Sequence, residues 1–169
     1  MKTEIISKLQ LQARIEELGR RITEDYQGKQ LVLLGVLNGA FIFTADLCRA
    51  INLDLEIDFI RVASYGAAMQ SSGTIHLLHE PRIDLTGKDV LLVEDIVDSG
   101  TTMAWLQNHF QQSPANTVRI CSLIDKKERR VTPVAVDYTG YTLESGFLVG
   151  YGLDCAEKHR NLPAIYSLD

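Results

Sequence analysis

Three cysteines, Cys48, Cys121 and Cys155, stand far apart in a chain of 169 residues, and no CxxC pair exists. So few and scattered thiols indicate neither a disulfide framework nor a thiolate zinc site; idle thiols in a reducing compartment fit better. No apolar run approaches the roughly 20 residues that a membrane-spanning helix needs. The opening MKTEIISKLQLQARIEELGRR lacks the continuous apolar stretch of a secretion signal, so a cytoplasmic location is expected. Positive charge is not in excess. The formal net charge of -5 gives no general pull toward nucleic acid or an anionic membrane. Internal repeats, low-complexity tracts and linkers are missing too, so a single domain over residues 1–169 is expected. A chain this long can bury about 70% of its unfolded surface, enough for a core without disulfides or structural metal.

What the chain has is an alternation of strand and helix signals. Ser7 followed by Gln10 forms the pattern of a capping box. Behind it Leu11, Ile15, Leu18 and Ile22 recur on one face of a helix, with Gly28 as its stop. Leu31 to Val36 reads as a buried strand, Asn38-Gly39 as a turn, and residues 40–51 as a helix. Leu55, Ile57 and Phe59 alternate with Glu56 and Asp58, the period of a half-buried strand. Residues 64–73, SYGAAMQSSG, read as a loop. Further strands are expected at Thr74 to Leu78, Val90 to Val93 and Val118 to Ile124, with a helix over 102–112. Shorter strand signals lie near Val134, Phe147 and Ile165. The alternation predicts an α/β fold with a mainly parallel sheet covered on both faces.

The most informative stretch is VLLVEDIVDSGTT, residues 90–102. A buried strand runs straight into Glu94 and Asp95, then a short loop, then a helix start. In open α/β sheets, ligands sit beyond the carboxyl ends of the strands. Ser99, Gly100, Thr101 and Thr102 offer hydroxyls and backbone N–H groups where a helix N-terminus attracts anions, the makings of a phosphate cradle. Carboxylates beside a phosphate need other work, and binding ribose hydroxyls and Mg2+ would supply it. Helix capping alone explains one such residue, not three acids and three hydroxyls.

This stretch resembles the phosphoribosyl-pyrophosphate loop of the type I phosphoribosyltransferases. The resemblance, closest to their bacterial 6-oxopurine members, covers nearly the whole chain. It includes LLGVLNGAF at 33–41, SYG at 64–66, SSGTI at 71–75, DKKERR at 125–130 and FLVGYGLDCAEKHRNLP at 147–163. It implies the fold of that family: a central, mainly parallel sheet flanked by helices, with a small hood built partly from the C-terminal third. It implies transfer of a phosphoribosyl group from phosphoribosyl pyrophosphate to a 6-oxopurine, with Mg2+ as helper, in a homo-dimer or homo-tetramer.

Residue by residue, the resemblance gives Asp98 the acid/base role and Glu94 and Asp95 the ribose hydroxyls and Mg2+. It gives the 5-phosphate to the loop from Asp98 through Ser99, Gly100, Thr101 and Thr102. Lys126 would donate to the C6 oxygen of the base, with Phe147 stacked on the purine and Leu148 and Asp154 beside it. Asp154 would also serve a second Mg2+. Asn38, Gly39 and Arg160 would meet the pyrophosphate, and Ser64 and Tyr65 belong to a mobile loop over the centre. Outside that resemblance, Lys126 opens a basic cluster with Lys127, Arg129 and Arg130 that reads as a solvated face. His76 and His79, three apart on a strand, point to opposite faces and suit no shared metal.

The chain departs from the family at several points. Asn38 stands where lysine is usual, Thr101 where lysine or arginine is common, and Cys155 where tyrosine is frequent. With Asn38 neutral, the expected pyrophosphate grip falls to backbone N–H groups, Arg160 and Mg2+. Two other readings stay open: a phosphoribosyltransferase for xanthine or a pyrimidine, and a regulator of the same fold that binds RNA. Lys126 and Phe147 favour an oxopurine; the net charge and the intact EDIVDSGTT loop speak against RNA.

Overall fold

The computed structural model describes residues 1–65 and 74–168. In chain order the elements are β1 (Lys2–Ile6), α1 (Lys8–Asp25), β2 (Leu31–Leu37), α2 (Phe41–Ala50), β3 (Glu56–Tyr65) and β4 (Thr74–His79). They continue with β5 (Asp89–Val97), α3 (Thr101–Gln111), β6 (Thr117–Lys126), β7 (Tyr138–Leu143), β8 (Leu148–Val149) and β9 (Ile165–Leu168). Strands β4-β3-β2-β5-β6-β7 form one sheet in that order, parallel throughout except for the antiparallel β3–β4 pair. A small antiparallel sheet, β1-β9-β8, joins the two ends of the chain.

The central strands are apolar on both faces because both faces are covered. Leu31 and Leu33 of β2 and Leu91 and Val93 of β5 pack with Leu11, Ile15, Leu18 and Ile22 of α1 and Phe43 and Leu47 of α2. Val32, Leu34, Val90 and Leu92 point the other way, to Met103, Leu106 and Phe110 of α3. Each such side chain, when fully buried, contributes about 1.5–3 kcal/mol. Helix α1 opens with the expected capping box: Ser7 Oγ accepts from Gln10 N at 3.2 Å, and Gln10 Oε1 accepts from Ser7 N at 2.8 Å. Among the described residues no helix is long and apolar enough to cross a membrane.

Four expectations shift. Ser64 and Tyr65 are not loop but the end of β3, paired with Ile75 and Thr74; positions 66–73 of the expected loop lie outside the described residues. Strand β3 is partly covered on both faces rather than on the Leu55–Ile57–Phe59 face alone. On one face Leu55 packs on the first core cluster and Phe59 is half-buried while Ile57 stays exposed; on the other Ile60 is fully buried, and Asp58 is satisfied by the backbone N–H groups of Phe59, Arg82 and Ile83. Those donors also hold Asp58 below the ordinary carboxylate range, against a burial effect that would raise it. Near Val134 there is no strand; Val134 and Val136 pack on the second core cluster as an extended connection, and the ladder begins at Tyr138. Strand β1 was not foreseen, since its mostly exposed residues are held by pairing with distant β9.

Candidate active site

The sheet order decides what meets at its carboxyl edge. Strand β5 lies between β2 and β6, so the loops after these three strands are neighbours. Glu94 and Asp95 close the buried part of β5, each 8% exposed. Burial pushes Glu94 well above the ordinary carboxylate range, and the neighbouring Asp95 charge pushes it further. Burial raises Asp95 as well, although hydrogen bonds and the Arg160 charge pull it back. Two adjacent, buried carboxylates of this kind suit a divalent cation that takes its remaining ligands from phosphate and water. Among the described residues no three His, Cys, Asp or Glu side chains converge as a cage. Both Asp154 oxygens are engaged: Oδ1 pairs with Arg160 at 3.2 Å and Oδ2 accepts from Glu157 N at 2.9 Å.

The β2–α2 turn presses against the acidic pair. A Cβ on Gly39 would stand 2.6 Å from Asp95 Cγ, so only glycine lets the backbone come this close. The preceding Leu37–Asn38 peptide is cis. Beyond β5, Gly100 adopts a left-handed backbone (φ +83) and begins α3 with no side-chain cap. The hydroxyls are therefore not consumed as helix caps. Ser99 Oγ accepts only weakly from Thr101 N at 3.3 Å, and Thr101 Oγ1 meets Thr132 Oγ1 at 2.9 Å. A small cavity of about 150 Å³, lined by Glu94, Asp98, Ser99, Gly100 and Thr102 among others, opens at this helix end.

A larger cavity of about 380 Å³ gathers Asp95, Asp98, Lys126, Phe147, Leu148 and Asp154 around one space. Lys126 is 6% exposed; its Nζ donates to the Gly146 carbonyl at 3.1 Å and lies 3.6 Å from Asp98 Oδ2. The other Asp98 oxygen, Oδ1, is buried without a hydrogen-bond partner among the described residues. An orphan acceptor of this kind costs about 1–3 kcal/mol until a donor reaches it. Phe147 is 51% exposed, an aromatic face at the cavity rim rather than in the core. The cavity can thus present an acceptor, a cationic donor and an aromatic plate to one flat, polar-edged ligand.

Arg160 donates to the Gly152 carbonyl at 2.8 Å and pairs with Asp154 and Glu157. Ser64, exposed on β3, lines neither cavity. Three residues were missed. Arg130 was read as part of a solvated patch, yet its guanidinium staples the loop after β5. It donates to the carbonyls of Asp98 at 3.0 Å, Val97 at 3.2 Å and Lys126 at 3.1 Å, and pairs with Asp125. Burial would raise buried Asp125, but its hydrogen bonds from Lys127 and Arg130 outweigh that and keep it below the ordinary range. Arg61 on β3 donates to Asn38 Oδ1. The broken charge pattern DKKERR is a signal that could have placed Asp125 inside; nothing local marks Arg61.

The family model for the phosphoribosyl transferase domain matches residues 3–156. The chain is 41% identical over 163 residues to hypoxanthine phosphoribosyltransferase of Salmonella typhimurium, covering 95% of this chain and 92% of that protein. It is 41% identical over 175 residues to hypoxanthine-guanine phosphoribosyltransferase of Mycobacterium avium, covering 100% and 86%. The crystal structure of a hypoxanthine-guanine phosphoribosyltransferase from Bacillus anthracis superposes with a TM-score of 0.94 at 43% identity, over 99% of this chain and 98% of that one.

Proposed function

Because this chain belongs to the phosphoribosyltransferase family, we propose that it carries the 5-phosphoribosyl group of phosphoribosyl pyrophosphate to hypoxanthine, guanine or both. The products are IMP or GMP and pyrophosphate, which makes it a purine salvage enzyme. The observation that carries the base assignment is the Asp98–Lys126 pair in the larger cavity, one acceptor and one cationic donor 3.6 Å apart. A 6-oxopurine shows N7 and the C6 oxygen on one edge, and a ring proton at N7 would satisfy the orphan Asp98 oxygen while Lys126 donates to the C6 oxygen. A 6-amino group is itself a donor and would face the ammonium badly.

In the reaction a purine ring nitrogen bonds to ribose C1 as the bond from C1 to the pyrophosphate oxygen breaks. Asp98 accepts the purine proton as the nitrogen gives up its lone pair, help worth typically ~100- to 10,000-fold. Phe147 stacks on the base, with Leu148 and Asp154 at its side. Ser99 to Thr102 and the start of α3 hold the 5-phosphate. Glu94 and Asp95, with Asp154 toward a second ion, would hold Mg2+, which would supply positive charge against the departing diphosphate. We place the enzyme in the cytoplasm, in keeping with three unpaired cysteines, as a homo-dimer or homo-tetramer.

The test replaces Lys126 by methionine, which keeps most of the stem and removes the ammonium. A charge-assisted hydrogen bond of about 1.5–3 kcal/mol corresponds to roughly a 10- to 100-fold loss of kcat/KM with hypoxanthine. Use of adenine should change far less, so the gap between the two bases narrows. Unchanged base preference at an unchanged thermal midpoint would leave Lys126 only the task of holding the Gly146 carbonyl.

A further inference from the structure

The carboxyl edge of the sheet sets out the site in a row. Lys126 ends β6, Asp98 follows β5, Asn38 follows β2, and Arg61 sits on β3, where it is the register partner of Leu37. With the base on the β6 side and the 5-phosphate in the loop after β5, the diphosphate lies toward β2 and β3. Gly39 has no side chain to offer there, and Asn38 offers a neutral amide. Its oxygen would turn an acceptor toward an anion. In this chain that oxygen is taken up by the Arg61 guanidinium.

We propose that Arg61, positioned by Asn38, is the cation that grips the diphosphate of phosphoribosyl pyrophosphate in this protein. The inference rests on the function proposed above. A guanidinium carries five N–H donors in a fixed fork, and one bond to a neutral amide leaves the charge and most donors for phosphate oxygens. Arg61 is exposed, so those donors are open to solvent beside the β2–α2 turn that carries Asn38 and Gly39. Two other arginines at the site are committed elsewhere: Arg160 to Asp154, Glu157 and the Gly152 carbonyl, Arg130 to Asp125 and three carbonyls. The charge missing at position 38 is thus supplied from the adjacent strand.

Arg61→Gln keeps an amide donor near Asn38 and deletes the charge. Calorimetry with Mg2+-pyrophosphate should show binding weakened about tenfold, with a matching rise in KM for phosphoribosyl pyrophosphate. IMP binding, KM for hypoxanthine and the thermal midpoint should stay at wild-type values. Adding Asn38→Lys to Arg61→Gln returns a cation to the same place and should restore most of the affinity. An Arg61→Gln protein that binds pyrophosphate as the wild type does would overturn the inference, as would a loss of IMP binding in parallel with pyrophosphate. Failure of the proposed function reads differently: the wild-type protein itself would form no nucleotide from phosphoribosyl pyrophosphate and an oxopurine.

Discussion

Replacing Asp98 by asparagine should lower turnover by ~100-fold or more while phosphoribosyl pyrophosphate still binds. The side chain keeps its size, and its amide oxygen can still face Lys126. What it loses is the capacity to take a proton, and its second polar atom becomes a donor where the buried Oδ1 now offers an acceptor. The backbone around it is fixed independently, because Arg130 holds the Asp98 and Val97 carbonyls and the Ser99 carbonyl accepts from Val131 and Thr132, each at 3.0 Å. The loop should therefore keep its shape in the variant. Calorimetry for phosphoribosyl pyrophosphate beside single-turnover rates separates the two readouts. Near-normal turnover in Asp98→Asn would assign Asp98 to ribose or loop geometry instead of proton transfer.

Removing Mg2+ should have the larger effect. Glu94 and Asp95 are adjacent and buried; burial holds both above their ordinary range, and the Asp95 charge pushes Glu94 further up. A substrate diphosphate brought to the same edge adds like charge; two unit charges 4 Å apart repel by about 4 kcal/mol at an effective dielectric constant of 20. A divalent cation turns both repulsions into attractions and also offsets charge on the leaving group. Nucleotide formation should collapse in chelator by at least ~1,000-fold and return on adding Mg2+, as expected for several kcal/mol of lost stabilisation. Undiminished turnover in metal-free buffer would contradict this part of the account.

The sequence was most readable where a local signal and the tertiary environment agree. The capping box at Ser7 and the 3.6-residue stripe of α1 are both local, and β5 is a continuous apolar run because both its faces are covered. Strand β1 and the true position of β7 escaped because their ladders depend on partners far along the chain. The cover on the second face of β3 is hidden for a related reason: a carboxylate can go inward when backbone donors from another segment meet it. In the site, each acid and hydroxyl of residues 94–102 could be picked out singly. Their distances to Lys126 and Gly39 arise from the β2-β5-β6 order, which no local pattern encodes. Charge patterning misled at Arg130, whose long side chain turns inward to three carbonyls, and gave no hint of Arg61.

The central claim is that one cavity joins an oxopurine to a phosphoribosyl group, and a steady-state assay of the purified protein tests it most directly. Phosphoribosyl pyrophosphate, Mg2+ and hypoxanthine, guanine, xanthine or adenine are supplied in turn, and nucleotide and pyrophosphate are both quantified. The account predicts equimolar nucleotide and pyrophosphate with hypoxanthine, guanine or both, and little product with adenine. No nucleotide from either hypoxanthine or guanine, or adenine used as readily as they are, would contradict it.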